Sequence, residues 1–116
     1  PAGLDIIKKY LTEIGVKDFE MTSPSGLSRR NQFFPNDIFK VLSHVKQNFQ
    51  IYPEFLASFP IMGVDGTLKR KPENVPSFGR VRGKTGFLTG VVGLGGFLGR
   101  PDEEQITFVF LYNGEF

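Results

Sequence analysis

Arg82-Gly83-Lys84-Thr85-Gly86-Phe87-Leu88-Thr89 decides how the rest of the chain is read. It sets a Lys-Thr-Gly triplet inside a run with strand character, and two further apolar runs follow it. An ammonium attracts a carboxylate, and a hydroxyl beside it donates a directed hydrogen bond. A glycine next door removes side-chain bulk, so a backbone or a ligand can come close. If this strand lies at a sheet edge, its outward N–H and C=O groups can pair with an extended peptide. The N–H of Phe87 would then point at a developing oxyanion. Three common residues also meet by chance in a basic surface strand, so the surrounding chain has to decide.

Working outward, the β pattern begins at Gly79 and gives a first strand over Arg80 to Leu88. Thr89-Gly90 is a two-residue turn, and Val91 to Leu98 is a second strand. Gly93, Gly95 and Gly96 interrupt its apolar run where something packs closely against the backbone. Gly99-Arg100-Pro101-Asp102 is a second turn before a third strand, Ile106 to Tyr112, which is apolar on both faces and expected to be central. Short connections make all three strands antiparallel.

The N-terminal part reads as helices. Leu4, Ile7, Leu11 and Ile14 recur at spacings of three and four, and Gly15 is placed to end that helix. Pro35 suits a first helical residue, with Asp37 in the same turn. Ile38, Val41, Leu42, Val45 and Phe49 continue as an apolar stripe. Pro53 starts a short helical stretch anchored by Phe55, Leu56 and Phe59. Between the first two helices, an extended Phe19-Glu20-Met21 runs into the turn Ser23-Pro24-Ser25-Gly26, with Leu27 expected to anchor the loop. Ser28-Arg29-Arg30-Asn31 then offers hydroxyls and two guanidiniums, and arginine suits bidentate capture of a carboxylate. Phe59 to Ser77 is irregular, with a tight-turn Asp65-Gly66 and a solvated basic run Lys69-Arg70-Lys71. Helices beside an antiparallel sheet make the expected class α+β.

At 116 residues the chain is at most one ordinary domain, and 40% hydrophobic residues permit a core. It has no cysteine, which excludes disulfides and thiolate metal sites. A net charge of +2 does not demand nucleic acid as a partner. No apolar run approaches the roughly 20 residues a transmembrane helix needs. The chain starts Pro1-Ala2-Gly3 and stops at Phe116 just after a strand, so both ends read as cuts through a larger protein.

Other chemistries find little support. The one histidine, His44, lies mid-helix without an evident partner, so a histidine-based triad has no base. One histidine and scattered carboxylates do not make a metal cluster, and no cofactor is expected. Ser43 and Lys46 have the spacing of a Ser-x-x-Lys pair, but at about 100° per residue Ser43 lies roughly 140° from Ile38, off the apolar stripe. Gly83-Lys84-Thr85 imitates the end of a phosphate loop, yet Phe78 stands where the earlier glycine is required.

Three stretches in order and register give the chain a wider likeness: Ser25-Gly26-Leu27-Ser28-Arg29-Arg30-Asn31, Met62-Gly63-Val64-Asp65-Gly66-Thr67-Leu68 and Val81-Arg82-Gly83-Lys84-Thr85-Gly86-Phe87-Leu88-Thr89-Gly90-Val91. Together they resemble the C-terminal part of the penicillin-binding domain of class C D-alanyl-D-alanine carboxypeptidases/endopeptidases, serine peptidases that trim peptidoglycan. The likeness spans nearly all of residues 1–116. It implies an antiparallel sheet flanked by helices, the fold shared with serine β-lactamases. It also implies a Ser-x-x-Lys nucleophile pair and a Ser-x-Asn motif outside this sequence, so the rest of the polypeptide would bring the serine. By the same resemblance Lys84 would set a positive potential and assist proton movement, and Thr85 would bind the terminal carboxylate of D-alanine or of a β-lactam. Gly86 would leave room beside them, and the Phe87 N–H would form one side of the oxyanion hole. Arg29 and Thr89 would contact the peptide stem of peptidoglycan. A periplasmic or exported location follows from the resemblance.

Two positions depart from the family pattern. Ser23-Pro24 stands where Asp-Gly is usual, and Phe87 stands where a small hydroxyl residue is usual. A backbone donor survives the second change and a side-chain contact does not, so substrate choice depends on what Phe87 does. A β-lactamase or esterase of the same fold is the near alternative, separated by how fast an acyl-enzyme is released. A non-catalytic basic module binding an anionic polymer through Arg29, Arg30 and Lys69 to Lys71 is the distant one, marked by a steep salt dependence.

Overall fold

A computed structural model describes residues 2–62, 64, 79–99 and 104–114. The readings for Asp65-Gly66, Lys69-Arg70-Lys71 and Arg100-Pro101-Asp102 lie outside them. Three helices, α1 (Ala2–Glu13), α2 (Pro35–Lys46) and α3 (Tyr52–Ala57), precede three strands, β1 (Val81–Leu88), β2 (Val91–Leu98) and β3 (Ile106–Asn113). The strands form one antiparallel sheet in the order β1-β2-β3. The expected α+β class and antiparallel pairing are therefore present, but β2 and not β3 is the central strand. The apolar character of β3 has another origin: Ile106, Phe110 and Tyr112 stand on a sheet face that is largely uncovered, with Phe110 67% exposed.

Local chemistry accounts for the helix ends. Gly15 adopts φ +92°. Its N–H donates to the Thr12 carbonyl, and the next N–H, of Val16, donates to Leu11 at 2.9 Å. This pair of bonds is a Schellman cap, and the buried Val16 and Leu11 supply its usual apolar contact. Lys40 of α2 donates to the Gly15 carbonyl at 3.0 Å, which fastens the cap to the next helix. At the start of α2 the buried Asp37 carboxylate accepts from the Phe34 N–H at 2.8 Å, one half of a capping box. The stripe on α2 ends earlier than its spacing suggests. The helix stops at Lys46, and Phe49 beyond it is 90% exposed.

Leu42 of α2 is buried, and it approaches the site a Cβ on Gly95 would occupy at 3.6 Å. Helix α2 thus packs on the sheet face shared by Lys84, Gly95 and Val109, which are register partners. Phe97, only 2% exposed, centres an aromatic cluster. Tyr52 meets it edge-on at 5.3 Å, and Phe59 lies 6.0 Å away. The Tyr52 hydroxyl also donates to the side-chain oxygen of Gln105, so α3 is tied to the entry of β3. Burial raises the phenol pKa of Tyr52 and of Tyr10. His44 is exposed, and it does have a partner: its Nδ1 and the Tyr10 hydroxyl are hydrogen-bonded at 2.7 Å, which links α1 to α2.

The glycines of β2 behave as the interrupted run suggests. A Cβ on Gly96 would overlap the Arg82 carbonyl oxygen and stand 2.7 Å from Gly83 Cα. The backbone of β1 therefore lies directly against β2 at this point. A Cβ on Gly86 would meet nothing within 4 Å, so that glycine is not required by packing. Gly96→Ala is expected to lower stability by about 3 kcal/mol through overpacking against backbone. Gly86→Ala is expected to cost less than about 1 kcal/mol. Equilibrium unfolding in urea of the two variants side by side checks the difference.

Candidate active site

The candidate site is built on the outer edge of β1. Gly83 donates its N–H to the Pro60 carbonyl at 3.0 Å, and the Val81 carbonyl accepts from Met62 at 2.8 Å. These bonds leave β1 on the side away from β2. Main-chain groups alternate along an antiparallel strand, so the N–H and C=O of Thr85 and Phe87 also face away from β2. The Phe87 amide is thus directed outward whatever its side chain does. That side chain is 69% exposed.

The triplet divides between the two faces of the strand, as the pleat requires. Lys84 and Gly86 share the α2 face with Gly95 and Gly93, their register partners. Thr85 and Phe87 share the other. The Lys84 ammonium nevertheless returns to the outer edge, where it donates to the Thr85 carbonyl at 2.7 Å. It is thus held beside the outward-facing main chain, with its side chain exposed to solvent. The room left by Gly86 lies on the same face as the lysine.

At its far end β1 enters the turn Thr89-Gly90, where the edge meets a cleft of about 1030 Å³. Leu88, Thr89, Gly90 and Val91 line one wall, and Ser28, Arg29 and Asn31 line another. Phe33, Ile38 and Leu111 add apolar lining. Arg29 Nη1 comes within 3.9 Å of where a Cβ on Gly90 would be, so the guanidinium sits over the turn. Arg29 and Thr89 are therefore brought together. Lys84 and Thr85 lie outside this cleft: four residues at strand rise separate Lys84 from Leu88 by about 13 Å. An extended ligand along the edge would reach both regions.

The Arg29 loop is a closed structure. Glu20 and Gln32 exchange two main-chain bonds at its base, of 3.0 and 2.8 Å. The Asn31 side-chain oxygen accepts from the N–H groups of Thr22 and Ser23, and the Asn31 amide nitrogen donates to the Ser23 carbonyl. Gly26 turns the tip at φ +80°. Leu27, expected to anchor the loop, is instead 76% exposed. Hydrogen bonds rather than an apolar plug hold this loop, so no inward hydrophobe is needed. Sequence reading gave Asn31 no role of its own, because an Asn eight residues beyond a Ser has no recognised spacing.

Residues 1–116 match the D-Ala-D-Ala carboxypeptidase 3 (S13) family. The chain belongs to that family. It is 33% identical over 112 residues to the D-alanyl-D-alanine carboxypeptidase DacB of Haemophilus influenzae, covering 93% of this chain and 23% of that protein. It is 32% identical over 113 residues to the penicillin-sensitive carboxypeptidase A of Dictyostelium discoideum, covering 94% and 22%. Penicillin-binding protein 4 (dacB) from H. influenzae has the same fold, with a TM-score of 0.82 at 33% identity over 93% of this chain and 24% of that one. The same protein complexed with a novel β-lactam superposes with a TM-score of 0.80 at 33% identity, over 95% and 25% of the two chains. The chain thus spans under a quarter of the length of the curated relatives it matches. The family resemblance and the fold expected from sequence are borne out.

The turn beneath Arg29 depends on glycine twice over. Gly90 has φ +82°, and an added Cβ would come 2.8 Å from the Gly114 carbonyl oxygen. Gly26 shares the positive φ but has nothing within 4 Å. Both Gly→Ala changes are expected to cost about 1–2 kcal/mol for left-handed backbone. Gly90→Ala is expected to cost about 1 kcal/mol more, because the carbonyl must also move. The urea midpoints of the two variants measure that gap.

Proposed function

We propose that residues 1–116 are the C-terminal portion of the penicillin-binding domain of a serine D-alanyl-D-alanine carboxypeptidase/endopeptidase. The rest of the same polypeptide carries the Ser-x-x-Lys and Ser-x-Asn motifs, and this portion alone does not acylate. The substrate is a peptidoglycan stem peptide laid along the edge of β1. The serine oxygen attacks the penultimate D-Ala carbonyl, the C–N bond to the last residue breaks, and water later releases the acyl group. β-Lactams acylate the same serine. The setting is periplasmic or exported.

Each residue of the edge has a part in this reading. Lys84 provides the positive potential that draws the terminal carboxylate and favours proton transfer near the serine. Thr85 binds that carboxylate. The Phe87 N–H stabilises the oxyanion together with the N–H of the nucleophile. Gly86 leaves space for the ligand backbone. Arg29 holds a carboxylate on the stem peptide, and Thr89 contacts the same segment. The observation that carries the reading is the outward main chain of Thr85 and Phe87 with the Lys84 ammonium bound to the same edge, in a chain of this family. The uncovered sheet face bearing Phe87, Val92, Phe110 and Tyr112 supports a larger polypeptide packing against it.

Among the described residues no helix is long and apolar enough to cross a membrane. Lys84→Ala in the complete polypeptide is expected to slow acylation by a fluorescent penicillin by more than about tenfold, or about 1.4 kcal/mol in the barrier. Stopped-flow labelling measures it, and an unchanged rate refutes the assignment.

A further inference from the structure

We infer that Asn31 is a positioning residue for Arg29, setting selectivity for an acidic group on the stem peptide. The inference rests on the reading of Arg29 as the carboxylate anchor. Its observations are separate from that reading. One amide side chain makes both halves of a pairing: Asn31 Oδ1 accepts from Thr22 N at 2.8 Å and Ser23 N at 3.1 Å, while Nδ2 donates to the Ser23 carbonyl at 2.8 Å. These bonds hold the two sides of the loop together two residues from Arg29.

The loop has other ties, the nearest to the arginine being the Asn31 N–H, which donates to the Ser28 carbonyl at 3.2 Å and closes a main-chain turn across Arg29 and Arg30. Leu27 is exposed and fills no pocket. The Thr22 and Ser28 hydroxyls are hydrogen-bonded at 3.2 Å, and the Arg30 N–H donates to the Ser28 hydroxyl. The Thr22 hydroxyl also donates to Asn31 Oδ1 at 3.4 Å, and at the tip the Ser25 hydroxyl pairs with that of Ser23 and accepts from the Leu27 N–H. Among the described residues, no hydrogen bond or ion pair holds the Arg29 guanidinium itself. Its place over Gly90 is therefore set by the backbone that carries it. A bidentate fork gains only where its plane is already aimed, so a loosened loop weakens carboxylate capture without touching the Lys84 edge. The amide both accepts and donates here. An aspartate keeps the acceptor for Thr22 and Ser23 but sets a carboxylate against the Ser23 carbonyl.

The test uses the complete enzyme and two D-Ala-D-Ala peptides, one with a side-chain carboxylate and one with the matching carboxamide. The readout is the ratio of their kcat/KM values. Arg29→Ala is expected to lower the ratio about tenfold. Asn31→Ala is expected to lower it at least about fivefold, mostly through KM of the acidic peptide, and to add nothing in the Arg29→Ala background. Asn31→Asp is expected to recover part of the ratio, which also serves if Asn31→Ala folds poorly. If Arg29→Ala lowers the ratio while Asn31→Ala and Asn31→Asp leave it intact, or if the two losses multiply in the double variant, the positioning role is overturned. If Arg29→Ala itself leaves the ratio unchanged, the anchor reading of Arg29 fails, and that outcome is distinct.

Discussion

The alternation of main-chain direction along β1 is the constraint on which the rest depends. Every second residue commits its N–H and C=O to β2, and the residues between them must send theirs the other way. Pro60 and Met62 take up the outward groups of Gly83 and Val81, which fixes the phase of the alternation. That phase places the amides of Thr85 and Phe87 on the outer edge. The close approach of the β1 backbone at Gly96 locks β1 in register, because slipping by one residue would bring a side chain into that space. The chemistry proposed for Lys84, Thr85 and Phe87 follows from this register more than from any single side chain.

Much of this was legible beforehand because the signals were local. The Schellman glycine at Gly15, the proline and aspartate that open α2, and the two-residue turn at Thr89-Gly90 each depend on neighbouring residues only. The glycines of β2 also read correctly, since a gap in an apolar run has few explanations. What failed were inferences about burial. An apolar residue says that something should cover it, and not that the covering group lies in the same 116 residues. The apolar faces of β3 suggested a central strand, yet one of those faces is largely uncovered. Leu27 and Phe49 followed the same pattern: each is hydrophobic, each was expected inside, and each is exposed.

The site was legible in parts for a related reason. Lys-Thr-Gly sits within one strand, so its order along the chain is its order in space. The cleft joins the loop at residues 22–31 to a turn some sixty positions later, and no periodicity reports such a meeting. Arg29 could be chosen by its chemistry, but its seat over Gly90 depends on tertiary packing. His44 makes the converse case. Its partner, Tyr10, lies on another helix, and the bond between them ties two helices together.

The three strands are neighbours in the sheet in the order in which they occur along the chain. Each pairing therefore closes a short loop, and such low sequence separation favours rapid folding. Isolated hairpins form in about 1–10 μs. The three-stranded ribbon can thus assemble early. On the function proposed above, a slow maturation step would reflect the docking of remote chain against the sheet, and a sluggish onset of activity would report that docking.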